Sequence, residues 1–237
     1  MNRHNPIAMA GVALVLSGIA SPCLAQRSQL GPSSWVKPPT TQAEIEAGKP
    51  NPQAPGFRVP FPPLDQMEPA QRADFERQSR GFNTPVGNRV PLMLTPELDA
   101  SWQGMSSAVQ RVTIPNDVYE LTIIMVGAYW RAGFEWWAHA PLAVTAGVPA
   151  EAVEAIRLGK TPKLANARQQ AAYDLMQEFL TTHRISDAAY ERMRAIIGAK
   201  GMVEMITTAG WYSNISMSIV AHGIPLRSDV PPPFPDK

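Results

Sequence analysis

Pro115-Asn116-Asp117-Val118-Tyr119-Glu120-Leu121-Thr122-Ile123-Ile124-Met125-Val126-Gly127-Ala128-Tyr129-Trp130, and then Arg131-Ala132-Gly133-Phe134-Glu135-Trp136-Trp137-Ala138-His139, is the stretch whose reading decides the fold. Pro115-Asn116-Asp117 is a helix opening. From Leu121 to Trp130, and again from Met202 to Val220, the chain is apolar around most of a helix circumference, more than one small domain usually buries alone, so a homo-oligomer is expected. Glu135 and His139 are four residues apart and share one face of a second helix. A tight turn near Gly133 brings Glu120, on the first helix, alongside them.

Working outward, almost everything after residue 68 reads as helix. Residues 69–77 have helical composition, and Thr95-Pro96-Glu97-Leu98 is a helix start with an N-cap threonine and a first-turn proline. Gly147 closes the segment carrying His139, and Pro149-Ala150-Glu151 opens a short helix ending at Gly159. Asn166 to His183 carries an apolar stripe at Ala171, Ala172, Leu175, Phe179 and Leu180. Ser186-Asp187 caps a helix to Ile197, with Gly198 past its end. A last long helix runs from about Lys200 to Ala221 and stops at Gly223-Ile224-Pro225. No alternating run bounded by turn residues competes as a strand, so the fold class is all-α.

The ends differ from this domain. Residues 1–25 have Arg3, then an apolar run from Ile7 to Ala20, then Cys23 and Ala25 at the −3 and −1 positions before Gln26, the pattern of a secretory signal peptide. The expected protein is exported, to the periplasm or outside the cell. A lipid anchor on Cys23 is poorly served by Ala20-Ser21-Pro22. Residues 26–67 form a proline-rich arm or linker, 68–226 the helical domain, and 227–237 a proline-rich tail.

Composition narrows the chemistry. The chain has one cysteine, Cys23, so no disulfide can form within it, and cleavage after Ala25 leaves no thiol at all. Loss of Arg3 brings the 21 basic residues level with the 20 acidic ones, without any basic stripe, so nucleic-acid binding has no footing. After signal cleavage, no run is long and charge-free enough to span a membrane.

Glu120, Glu135 and His139 together are a sufficient kit for proton transfer, and neighbouring tryptophans suit a partly dry pocket. A satisfied Glu–His ion pair is the structural alternative. Two carboxylates and one imidazole also suit a hard or borderline metal ion, though no metal or other cofactor is required by the acid–base reading. An internal repeat is suggested by Gly127-x-Tyr129 with Ala138-His139 and Gly210-x-Tyr212 with Ala221-His222, at equal spacing. Glu120 and Glu204 lie ahead of the two glycines. The second copy has no counterpart of Glu135.

From about Phe61 to Leu226 the chain resembles the carboxymuconolactone decarboxylase family, which shares the alkylhydroperoxidase D-like fold. The resemblance rests on Phe61-Pro62-Pro63-Leu64-Asp65, Thr95-Pro96-Glu97-Leu98, Tyr119-Glu120-Leu121-Thr122-Ile123-Ile124, Phe134 to Ala143 and Val203-Glu204-Met205. It implies an all-α domain in a homo-oligomer, a trimer or hexamer, with sites near subunit contacts. The redox branch of that family carries a Cys-x-x-Cys pair, whose positions here fall on Ala132 and Glu135. Without a thiolate nucleophile and a resolving thiol, thiol peroxidase chemistry is excluded.

The glutamate at 135 is similar to the decarboxylase branch. That implies a cofactor-free lyase acting on a small carboxylated lactone or related keto acid, with His139, Glu135 and Glu120 catalytic. Arg131 is expected to anchor a substrate carboxylate, and Trp136 and Tyr129 to line the pocket. An isomerase or hydratase using the same residues, or a non-catalytic oligomeric binding protein, are the other readings. Pro141 has no N–H for the carbonyl of Trp137, so a kink or a free carbonyl is expected near His139.

Overall fold

The computed structural model describes residues 58–59, 66–78, 87–224, 226 and 231–234. The expected signal peptide, most of the arm and the motif at 61–65 lie outside the described residues. Among the described residues seven α-helices follow in order: α1 Pro69–Gln78, α2 Pro96–Val109, α3 Asn116–Trp130, α4 Gly133–Thr145, α5 Ala150–Arg157, α6 Ala167–Thr182 and α7 Asp187–His222. A 3₁₀ helix, Gly87–Leu94, precedes α2. There is no strand among the described residues, and the fold is all-α.

Helix α3 is the axis of the domain. Every residue from Asp117 to Gly127 is buried, and α4, α6 and α7 pack around it, with α5 at a smaller contact. Val118, Leu121, Ile123, Ile124 and Val126 have no exposed surface. An all-round apolar helix is stable only when so enclosed, because each face removes hydrocarbon from water. The polar groups at its start are matched. Asp117 is buried and accepts from the Val118 N–H at 3.0 Å, from Arg168 Nη2 at 2.9 Å and from Gln169 Nε2 at 3.1 Å. Gln169 also donates to the Gly147 carbonyl at 3.0 Å, which ties α6 to the end of α4.

Most expected stops and starts are present. Asn166 and Ser186 cap α6 and α7 with side-chain bonds to the Gln169 and Ala189 N–H groups, and Gly223 ends α7 in a left-handed conformation. Gly198, at φ 73° and ψ 172°, interrupts α7 where the sequence separates two helices. Thr95 precedes α2 as expected, yet its side chain makes no cap bond; Pro96 and the acids Glu97 and Asp99 supply the start instead. Helix α4 continues through Pro141 to Thr145.

The α3–α4 turn is not made by Gly133. Arg131 takes the left-handed conformation at φ 54°, and the Ala132 N–H donates to the Gly127 carbonyl at 2.9 Å. This closes α3 two residues before α4 begins, so the two helices fold back tightly. At Gly127 an added Cβ would lie 3.7 Å from the Trp136 nitrogen and 3.8 Å from Glu135, so the helices approach closely there.

Two flanking pieces belong to the packed domain. Within the stretch read as an arm, the Arg58 N–H donates to the His222 carbonyl at 2.9 Å and Val59 is buried. Within the stretch read as a tail, Phe234 is buried, its ring 5.4 Å from that of Trp136, and Arg157 donates to the Pro233 carbonyl.

Candidate active site

Helices α3 and α4 bring Glu120, Glu135 and His139 together. His139 Nδ1 lies 2.8 Å from Glu120 Oε2, and Nε2 lies 3.1 Å from Glu135 Oε1. The second contact is the i,i+4 relationship on α4; the first crosses the tight α3–α4 turn. The two glutamate side chains are 6% and 4% exposed and that of His139 is 14%, which makes the imidazole the most accessible member.

Burial by itself opposes a charged imidazole. The Glu120 carboxylate and its hydrogen bond, reinforced by Glu135, outweigh that opposition and raise His139 from its ordinary 6.5 to about 10. Near neutral pH both ring nitrogens therefore carry protons and both donate, one to each glutamate. Among the described residues, no group of three or more His, Cys, Asp or Glu side chains is arranged to hold a metal ion.

Sequence reasoning missed the wall of the site. It is tyrosine. The Tyr212 ring stands edge-to-face against the His139 ring, with centroids 5.0 Å apart and planes at 81°. Its hydroxyl is 3.1 Å from that of Tyr119, the residue before Glu120. Burial, then Tyr119 and the two carboxylates, push the Tyr212 phenol well above its ordinary range, so it stays protonated. One turn on, the fully buried Ser216 hydroxyl is the only buried side-chain polar atom without a hydrogen-bond partner among the described residues. The signal was present in Tyr119-Glu120 and Gly210-x-Tyr212, but nothing in a linear sequence pairs residues 93 positions apart.

The expected binding residues lie elsewhere. Successive helical residues are about 100° apart, so Trp136 and Trp137 leave the face shared by Glu135 and His139. They line a cavity of about 380 Å³ with Ala140, Pro141, Arg157 and residues 231–233. Tyr129 is half-exposed and borders a second cavity, of about 280 Å³, with Trp130, Phe179 and Ile206. Arg131 serves the α3 C-terminus, and its guanidinium lies over the Phe234 ring at 5.4 Å.

The two segments of the suggested repeat also differ locally. The first spans a helix–turn–helix, whereas Gly210 to His222 lies within one uninterrupted helical stretch. Glu204 accepts from the Thr113 N–H at 2.7 Å and so holds the turn ahead of α3.

Comparison of the chain with known protein families, with curated proteins and with solved structures finds no match.

Proposed function

We propose that this protein is a cofactor-free acid–base lyase of the carboxymuconolactone decarboxylase type, acting on a small carboxylated lactone or related keto acid. The observation that carries this reading is the bridging of one imidazole between two buried glutamates, 2.8 Å and 3.1 Å from its two nitrogens. Loss of carbon dioxide breaks one C–C bond and leaves the electron pair to delocalise into the lactone carbonyl as a dienolate. The carbon must then take a proton.

His139 is the proton reservoir. Both of its N–H groups are engaged, so it delivers through Glu135, which receives the proton at Oε1 and passes it on. Glu120 holds the opposite nitrogen and fixes the ring orientation. Solvent returns the proton consumed in each turnover. The association implied by the family resemblance is part of the same reading: Val203, Met217 and Val220 on α7 are 67%, 48% and 46% exposed, apolar surface that suits a neighbouring copy.

The test is carbon dioxide release, with deuterium incorporation at carbon in D₂O, from a panel of carboxylated lactones and keto acids in thiol-free, metal-chelated buffer. Turnover of at least one of them by the wild type, lost in Glu135→Gln, supports the reading. A folded, oligomeric protein with no turnover on the panel favours the binding-protein alternative.

A further inference from the structure

The His139 imidazole meets three side chains from three helices: Glu120 of α3 at Nδ1, Glu135 of α4 at Nε2, and the Tyr212 ring of α7. The two carboxylates fix the ring plane but leave its flank open. Tyr212 closes that flank, its ring packed against the imidazole with centroids 5.0 Å apart and planes at 81°. Tyr212 is itself held, since it is 6% exposed and its hydroxyl meets that of Tyr119 on α3.

We propose that Tyr212 is a positioning residue of the acid–base site, whose ring holds the His139 imidazole in the bridge between Glu120 and Glu135, with Tyr119 of α3 packed against Tyr212 in turn. The inference rests on the acid–base reading of the same site but concerns the state of the histidine, not the identity of the substrate.

Among the described residues of the helices packed on α4, the groups set against His139 are few. Helix α3 supplies Glu120, and Tyr119 through Tyr212; α4 supplies Glu135; α7 supplies Tyr212. On α5, Arg157 is committed to Glu154 and the Pro233 carbonyl. The ring, and not the hydroxyl, makes the contact with the imidazole. Tyr212→Phe must therefore leave the histidine unchanged, whereas an aliphatic residue must not.

The experiment is ¹⁵N-detected titration of the imidazole of His139 in the full chain, wild type against Tyr212→Phe, Tyr212→Leu and Tyr119→Phe, with folding checked by circular dichroism. The expected result is a wild-type midpoint well above 6.5, retained in Tyr212→Phe. In Tyr212→Leu the imidazole is no longer held between the two carboxylates that raise it, and the midpoint falls by about one pH unit, a tenfold loss in the protonation equilibrium. Tyr119→Phe, which removes the same hydroxyl contact as Tyr212→Phe and keeps the ring packing, likewise retains the wild-type midpoint.

A Tyr212→Leu protein titrating like wild type would overturn the proposal, as would Tyr212→Phe falling as far as Tyr212→Leu. Should Tyr212→Leu not fold, the wild type decides: nuclear Overhauser contacts between Tyr212 ring and His139 ring protons are required, and their absence refutes the contact. The titration needs no substrate. Its failure is thus distinct from failure of the lyase assay.

Discussion

His139 Nδ1 and Glu120 Oε2 meet at 2.8 Å across a turn in which Arg131, not a glycine, takes the left-handed conformation. The contact joins two helices that are only two residues apart in sequence. It converts an i,i+4 pair on α4 into a three-membered buried charge cluster. Breaking such a cluster by removing one partner commonly costs about 3–5 kcal/mol, because the remaining charges stay buried.

Removal of the cation should therefore be felt in stability, and with a definite pH dependence. His139 is raised from 6.5 to about 10 in the folded protein. Its contribution is fully present below pH 6.5, erodes as pH rises, and is lost above pH 10. In that window the folded state holds a proton that the unfolded state has released, so stability falls by up to about 1.4 kcal/mol per pH unit. Denaturant unfolding from pH 6 to 10 should show this fall in the wild type and not in His139→Asn, which should be weaker by about 3 kcal/mol at pH 7.

Ser216→Ala should stabilise the protein by about 1 kcal/mol, since it removes a fully buried hydroxyl that has no partner. The midpoint of urea unfolding checks this. A loss of stability instead would mean that the hydroxyl is satisfied in solution.

How much was legible in the sequence follows from the range of each signal. The composition of α3, the glycine stops at 147, 159, 198 and 223, and the i,i+4 spacing of Glu135 and His139 are local, and each was readable. Glu120 was readable because one short turn separates α3 from α4. Tyr212 was not, because it reaches the site from the far end of the chain through the packing of α7 on α3. Trp136 leaves the face of Glu135 and His139 for a helical reason, since residues adjacent in sequence point about 100° apart, while Tyr129 lies at the far end of α3 from Glu120 and Arg131 in the turn between the helices. The packing of Phe234 was invisible in a segment whose prolines read only as a tail.

Phe234→Ala should cost about 3 kcal/mol, because its buried ring packs on Trp136 and lies under the Arg131 guanidinium. Thermal unfolding checks the magnitude. The 15-residue helix α3 should keep its amide protection in that variant, since the tail bears on the turn after it.

Association should depend on the exposed apolar face of α7. Sedimentation velocity at micromolar concentration should give a homo-oligomer for the wild type, and Met217→Glu or Val203→Glu should dissociate it. A monomeric wild type would remove the oligomer from the account.

The central claim is that Glu135 carries a proton between His139 and the reacting carbon. Its most direct test is the turnover of Glu135→Gln on a carboxylated lactone that the wild type decarboxylates, with no thiol or redox cofactor added. Glutamine keeps the shape and a hydrogen bond to His139 but cannot relay the proton. Turnover should fall by about 10²–10⁴-fold in a protein that circular dichroism shows to be folded, beyond what any accompanying loss of stability explains. A Glu135→Gln protein with wild-type turnover would contradict the account.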